Sequence, residues 1–420
     1  MKLNLLASLI LALSTTSLAY GAETSYSGDE QPAPGSTVKD RVQPDYDPVG
    51  LRAGTFIIYP QVQLDERYDD NIYYANTNER DDWVTVVSPS VRLVSDWSRH
   101  LLELNFGSDL TRYNKFSSED NDHYWATAKG RLDLSSHTVV TLQGERRNET
   151  ESRGSPDDAN GIEPTRTRTD DFQLTIRHQP NRFFVEGKLD VAQRDFANVQ
   201  TSIGAIINNH DRDRREDEAS LTLGYEIVPE YDAFVRYIRN TRNYDQAIDD
   251  NGFIRDAAGD SLLVGTELDL TGVLTGEVAV GAVRYQYDDP TFQDLSKGTA
   301  HALLYWSATP LTTVTFQLQR DVAATTTAGS SGYISDTFGV GVYHELLRNL
   351  VLEASLSASQ NDYSGFARTD DLVNFKASGE YDVNRNLFLG AGYEYNHRDS
   401  NFTGVGYNRN VLSGWVGLRY

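Results

Sequence analysis

The chain has 420 residues, no cysteine and a net charge of −23 at neutral pH, from 61 acidic against 38 basic side chains. The missing cysteines exclude a disulfide-stapled secreted domain and a cysteine-linked lipid anchor, and the acidic balance speaks against a nucleic-acid partner. A mean hydropathy of −0.50, with no run near ~18–20 apolar residues beyond the first two dozen, excludes a helical membrane protein.

Residues 1–22 read as a signal peptide. Lys2 opens it, Leu5 to Leu13 form the apolar stretch, and Ser17-Leu18-Ala19 offers a cleavage site of small residues, with Ala22 as a second. Residues 23–53 then change composition: Pro32, Pro34, Pro44 and Pro48 alternate with glycine, serine and acids. Such a stretch buries too little apolar surface to offset the entropy of ordering it. It is expected to be a flexible periplasmic lead, too short for a folded plug but able to thread into a lumen or dock on a partner.

From residue 54 to 420 apolar and polar residues alternate in segments of roughly ten, the period of a strand. Leu102, Leu104 and Phe106 oppose Glu103, Asn105 and Asp109, and Phe172, Leu174 and Ile176 oppose Asp171, Gln173 and Arg177. The connections alternate too. Short turns fall at 96–99, 134–137, 179–181, 228–230, 271–275, 308–310, 345–349 and 382–386. Long polar segments fall near 66–82, 114–121, 148–166, 196–215, 241–259, 288–297, 321–334, 360–370 and 396–409.

In lipid every backbone donor and acceptor must be satisfied within the protein, so a sheet spans a bilayer only when closed. The pattern predicts an all-β protein, a single transmembrane antiparallel up-and-down barrel with short periplasmic turns and long extracellular loops, in the outer membrane of a Gram-negative cell. Eight turns and nine loops connect eighteen strands; sixteen is the alternative, because the segments from Leu262 to Tyr287 alternate least clearly. Aromatics near strand ends (Tyr59, Tyr73, Tyr74, Trp83, Trp97, Tyr113, Tyr124, Trp125, Tyr231 and Trp306) suit the two interfacial girdles. In the last strand Val416, Leu418 and Tyr420 share the apolar face. An aromatic carboxyl terminus of this kind looks like the signal read by the barrel-assembly machinery.

Eighteen strands leave room for an aqueous lumen. The candidate pore-lining residues are Glu103, Asn105, Lys129, Arg131, Glu145, Arg177, Glu186, Lys188, Arg236, Glu267, Lys376 and Glu380. These charges either pair across strands and keep the wall wet, or form a sugar-compatible surface with Tyr305, Tyr343 and Phe388 as stacking faces. The acidic loops suit solubility and cation-bridged contact with lipopolysaccharide. Asp249-Asp250-Asn251-Gly252 lacks the glutamate that a calcium loop carries at its twelfth position. His123 beside Asp122 and His210 beside Asp211 are the best acid–base neighbours, and in a chain with 61 acids such neighbours arise by chance. No enzyme and no cofactor is expected.

Pro60, Tyr68-Asp69-Asp70-Asn71-Ile72, Pro89 and the run from Ser95 to His100 resemble the opening of a β-barrel porin family often encoded in exopolysaccharide gene clusters. That resemblance implies export of a polysaccharide across the outer membrane, with a periplasmic export protein as partner. The alternative is a passive diffusion porin for small hydrophilic solutes. A conduit for a chain needs an unobstructed bore, whereas a diffusion porin commonly narrows its pore with an inward loop; the loops at 148–166, 196–215 and 241–259 are long enough to supply one.

Overall fold

The structure, a computed structural model, describes residues 35–270 and 272–420. The expected signal peptide and residues 23–34 of the expected lead lie outside the described residues. Eighteen long strands follow in order: β1 Phe56–Asp69, β2 Asp82–Ser95, β3 Leu101–Tyr113, β4 Asn121–Ser135, β5 Thr138–Thr150, β6 Arg166–His178, β7 Phe183–Phe196, β8 Arg214–Val228 and β9 Tyr231–Tyr244. The second half comprises β10 Ala257–Leu270, β11 Leu274–Tyr287, β12 Leu295–Thr309, β13 Thr312–Ala323, β14 Gly332–Leu347, β15 Leu350–Ser364, β16 Thr369–Asp382, β17 Leu387–Ser400 and β18 Tyr407–Arg419.

Each strand pairs antiparallel with its sequence neighbours, and β18 closes the sheet on β1 in a register running from Gln61↔Arg419 to Asp69↔Val411. Closure leaves no free edge, which is what a sheet in lipid requires. The count is eighteen. The doubtful stretch forms β10 and β11, paired from Ala257↔Tyr287 to Leu270↔Leu274. One seam is incomplete. β12 and β13 pair only between His301↔Gln319 and Thr309↔Thr312, and beyond that Thr299 Oγ1 donates to the Arg320 carbonyl at 3.1 Å.

Outward residues in the middle of the strands, including Leu221, Leu223, Val264, Val280 and Leu412, are exposed, as an apolar band facing lipid demands. Toward the loops the band ends in outward charge pairs: Arg146–Asp170 at 2.5 Å, Arg215–Asp217 at 2.8 Å, Arg239–Asp260 at 2.5 Å and Arg320–Asp336 at 2.5 Å. Aromatic pairs flank it, Tyr68–Trp83 toward the loops with ring centroids 5.4 Å apart and Phe183–Tyr225 toward the turns at 4.8 Å. Five expected girdle aromatics lie elsewhere, Tyr113 among them, across from buried Val84 on the inward face. Tyr59 faces inward beneath Arg92, Trp125 packs on Gly107, and Tyr73 and Tyr74 pack against Phe116 and Tyr407 among the loops.

Candidate functional site

Both mouths of the barrel are crossed by chain. At the turn end the crossing element is the N-terminal segment, whose described part packs against the barrel. Thr37 and Asp40 cap a short 3-10 turn, Val38–Asp40, and the Val38 amide donates to Thr313 Oγ1 on β13 at 3.1 Å. Gly35 reaches Thr275 on β11 at 2.9 Å. Arg41 pairs with Glu345 on β14 at 3.1 Å, both side chains being buried, and Gln43 donates to the same carboxylate at 3.2 Å. Farther along, the Pro44 carbonyl accepts from Arg385 at 2.7 Å and the Tyr46 carbonyl from Arg419 at 3.1 Å. The strap thus runs from β11 to β18 before entering β1. The partners of these few polar groups sit hundreds of residues away in the chain, beyond what local composition reports.

All twelve expected lumen residues lie on the inward face, opposite exposed apolar neighbours on the same strands. Most of them are engaged with other polar side chains of the inward face. Glu103 takes Arg92 at 2.9 Å and Asn105 at 3.1 Å, and stands across from Lys129 in register. Arg131 pairs with Asp133 at 3.0 Å, Glu145 accepts from Arg147 at 2.7 Å, and Lys376 meets Glu394 at 3.2 Å, with Glu380 farther along the same face of β16. Arg177 bridges Glu186 at 3.5 Å, Asp232 at 3.5 Å and Glu267 at 3.1 Å, with its guanidinium 3.9 Å from the Phe184 ring centroid. Arg236 makes two bonds to Glu277, at 2.8 and 2.9 Å, and a third to Thr222 at 2.9 Å. Lys188 is buried on the same wall.

Glu277 was missed as a lumen residue because it sits in the weakly alternating β11. The same region packs an inward apolar cluster, Phe184, Phe234, Leu263 and Ala279. A side-chain carbon at Gly224 would lie 2.1 Å from the Phe184 ring, so glycine there lets the ring lie flat on the next strand.

At the loop end the loop 151–165, between β5 and β6, folds across the mouth. Glu151 is bridged by Arg212 at 2.9 and 2.7 Å. Arg153 takes Glu119 at 3.0 and 2.7 Å. Asp157 crosses the opening to accept from Thr325 Oγ1 at 2.8 Å and from the Thr326 amide and hydroxyl at 3.0 Å each. Arg398 of β17 donates to the Gly154 carbonyl at 2.5 Å, and Gly154 lies against the Tyr74 ring. Arg255 extends the network, bonded to Asp249 at 2.7 Å and to the carbonyls of Thr325 and Ser330 at 3.0 and 2.6 Å. Asp249 also caps the backbone amides of Asn251 and Phe253, the work of a turn rather than of an ion loop.

Asp158 is the exception in this lid. One of its carboxylate oxygens is buried without a hydrogen-bond partner among the described residues. Burial drives its pKa up to about 6, with the Glu151 charge adding and Arg153, at 3.7 Å, opposing. Of the two histidines, His123 meets Thr150 Oγ1 at 2.9 Å and His210 meets Asp213 at 2.8 Å; both brace loop ends.

A closed eighteen-strand sheet with a lipid-facing band, a charged wet interior and an inward loop defines a β-barrel porin of the Gram-negative outer membrane. Residues 43–420 match the family model described as "Putative beta-barrel porin 2", and the chain belongs to that family. No curated protein matches the sequence. Among solved structures, OpdK of Pseudomonas aeruginosa is 12% identical over 86% of this chain and 99% of its own, with a TM-score of 0.43. OccK9 (OpdG) of the same organism is 12% identical over 86% and 98%, with a TM-score of 0.45. Its ferric enterobactin receptor PfeA is 7% identical over 86% and 80%, with a TM-score of 0.45. None of these similarities bears on what passes through this barrel.

Proposed function

We propose that this chain is a passive diffusion channel for small hydrophilic solutes across the outer membrane. The observation that carries the reading is the loop 151–165 laid over the mouth and fixed on the far side by Asp157 to Thr325 and Thr326. A polysaccharide conduit needs a bore that a long polymer can thread, and here both the lid and the N-terminal strap lie in its way. The expected order, export first and diffusion second, is therefore reversed. The outward arginine–carboxylate pairs above the apolar band support contact with lipopolysaccharide phosphates. The exposed Val416, Leu418 and Tyr420 support recognition by the assembly machinery.

Deleting the gene tests the reading. Uptake of small solutes should slow while surface polysaccharide stays unchanged. Loss of polysaccharide with normal uptake would restore the export reading and its periplasmic partner.

A further inference from the structure

Beneath the incomplete seam between β12 and β13 the lumen holds a chamber of about 180 Å³, reached by inward side chains of β6 through β13. Four carboxyl groups, those of Asp171, Asp190, Glu218 and Asp321, line it together. Elsewhere on the wall Arg92, Arg131, Arg147, Arg177 and Arg236 each meet a carboxylate. Here the chamber's inward arginines, Arg194 and Arg242, both turn to Glu216, at 3.2 and 3.5 Å, and Arg214 joins them at 2.7 Å. Among the described residues no arginine forms an ion pair with any of the four remaining carboxylates. Asp190 has the amide of Gln173 at 2.9 Å and Asp321 that of Gln319. Lys188 stands on the same wall, so that, with Glu216 and its three arginines counted, the chamber holds five carboxyl groups against four cationic side chains.

A second observation points to a ligand rather than to a merely wet surface. His301 lines the chamber at 8% exposure, and its Nδ1 has no hydrogen-bond partner among the described residues. Asn240 lines it as well, with its side-chain oxygen unpartnered. Buried polar atoms cost free energy unless something bonds to them. The chamber therefore presents four carboxyl groups without an arginine partner together with vacant hydrogen-bonding atoms, in a space somewhat larger than the ~150 Å³ that admits benzene in an apolar cavity.

We propose that this chamber binds a small organic cation bearing an amine or guanidine, as a station on the solute path. The inference rests on the reading of the chain as a diffusion channel and names the charge of what that channel favours. Ammonium or guanidinium donors reach the carboxylates, while hydroxyl or amide groups of the same solute meet Asn240 and His301. Monoanions meet repulsion at the same point.

The test uses the mature protein in planar lipid bilayers. A salt gradient across the bilayer should give a reversal potential of cation-selective sign, and putrescine should interrupt the current where glutamate does not. The variant carrying Asp171→Asn and Asp321→Asn should need about tenfold more putrescine for the same block. Its heat-shifted electrophoretic mobility in detergent reports that the barrel has folded. Anion selectivity, equal block by glutamate, or undiminished block in the folded variant would each overturn the proposal. A protein that conducts nothing overturns the channel reading instead. In that case putrescine titration of the detergent-solubilised protein decides the chamber: heat of binding lost in the variant upholds it, and no binding to either form refutes it.

Discussion

Leu104 and Asn105 are adjacent in sequence and face different solvents. Leu104 stands between Leu93 and Ala128 on the outward face of β3, while Asn105 bonds Glu103 and Thr127 inside. Arginine at a lipid-facing site near the bilayer midplane costs ~2–4 kcal/mol, whereas lumen sites tolerate charge. Leu104→Arg should lower the urea stability of the protein folded in vesicles by that amount, and Asn105→Arg by well under half of it. Equal losses would take Leu104 off the lipid face. Alternation made this contrast legible, because a period of two needs no knowledge of partners. It does not identify the partner of a given charge: Arg236 was recognisable as inward, but its bond to Glu277 was not. Arg236→Met leaves that buried carboxylate with only the His301 imidazole, 3.9 Å away; removing one partner of a buried pair typically costs about 3–5 kcal/mol, while replacing both with apolar groups is often near neutral. Arg236→Met with Glu277→Leu should therefore recover most of the loss on the same urea curves. A double variant no more stable than the single would show that water, rather than Arg236, compensates Glu277.

At the scale of elements, the turns and loops were legible because their residues act locally. Asn384 accepts from the amides of Asn386 and Leu387 within one tight turn. The lid was not, since Asp157 and Thr325 meet only after the barrel has brought their strands to opposite sides of one mouth. β10 and β11 were ambiguous for another reason: Gly259, Gly265, Gly276 and Gly281 interrupt the apolar alternation at places where inward rings or a neighbouring backbone come close. The lid also carries a pH response. Its docked form raises the Asp158 carboxyl from 3.8 to about 6, so between those values the docked loop binds more protons than a loop released into water. Docking is thus favoured as pH falls through about 6 and weakened above it. Single-channel records should show longer closed intervals at acid pH than at neutral pH. Asp158→Asn, fixed in the neutral form, should keep the long closures at both; a variant that still responds to pH would assign the effect to another group.

For the whole molecule, the decisive fact is that the first strand meets the last. Closure could be inferred from the edge problem alone, and with it a lumen, but nothing in the strand pattern tells what lies across the ends. The strap answers that at the periplasmic mouth. Val38 is 2% exposed, a burial that contributes roughly 1.5–3 kcal/mol for a valine side chain, and the Arg41–Glu345 pair beside it has left solvent. The strap contributes no strand to the ladder, so the barrel does not need it to close. Removing residues 35–50 should therefore leave an intact barrel with a several-fold larger unitary current. The chain has no cysteine, so an engineered pair, Val38→Cys with Thr313→Cys, can be oxidised without competing thiols, joining the strap to the strand it already touches through a 3.1 Å hydrogen bond. Oxidation should hold the current at its low level, and reduction should restore any fluctuation present in the unmodified protein. If the locked and the truncated proteins carry equal current, the strap rests beside the path rather than across it, and the lid alone limits passage.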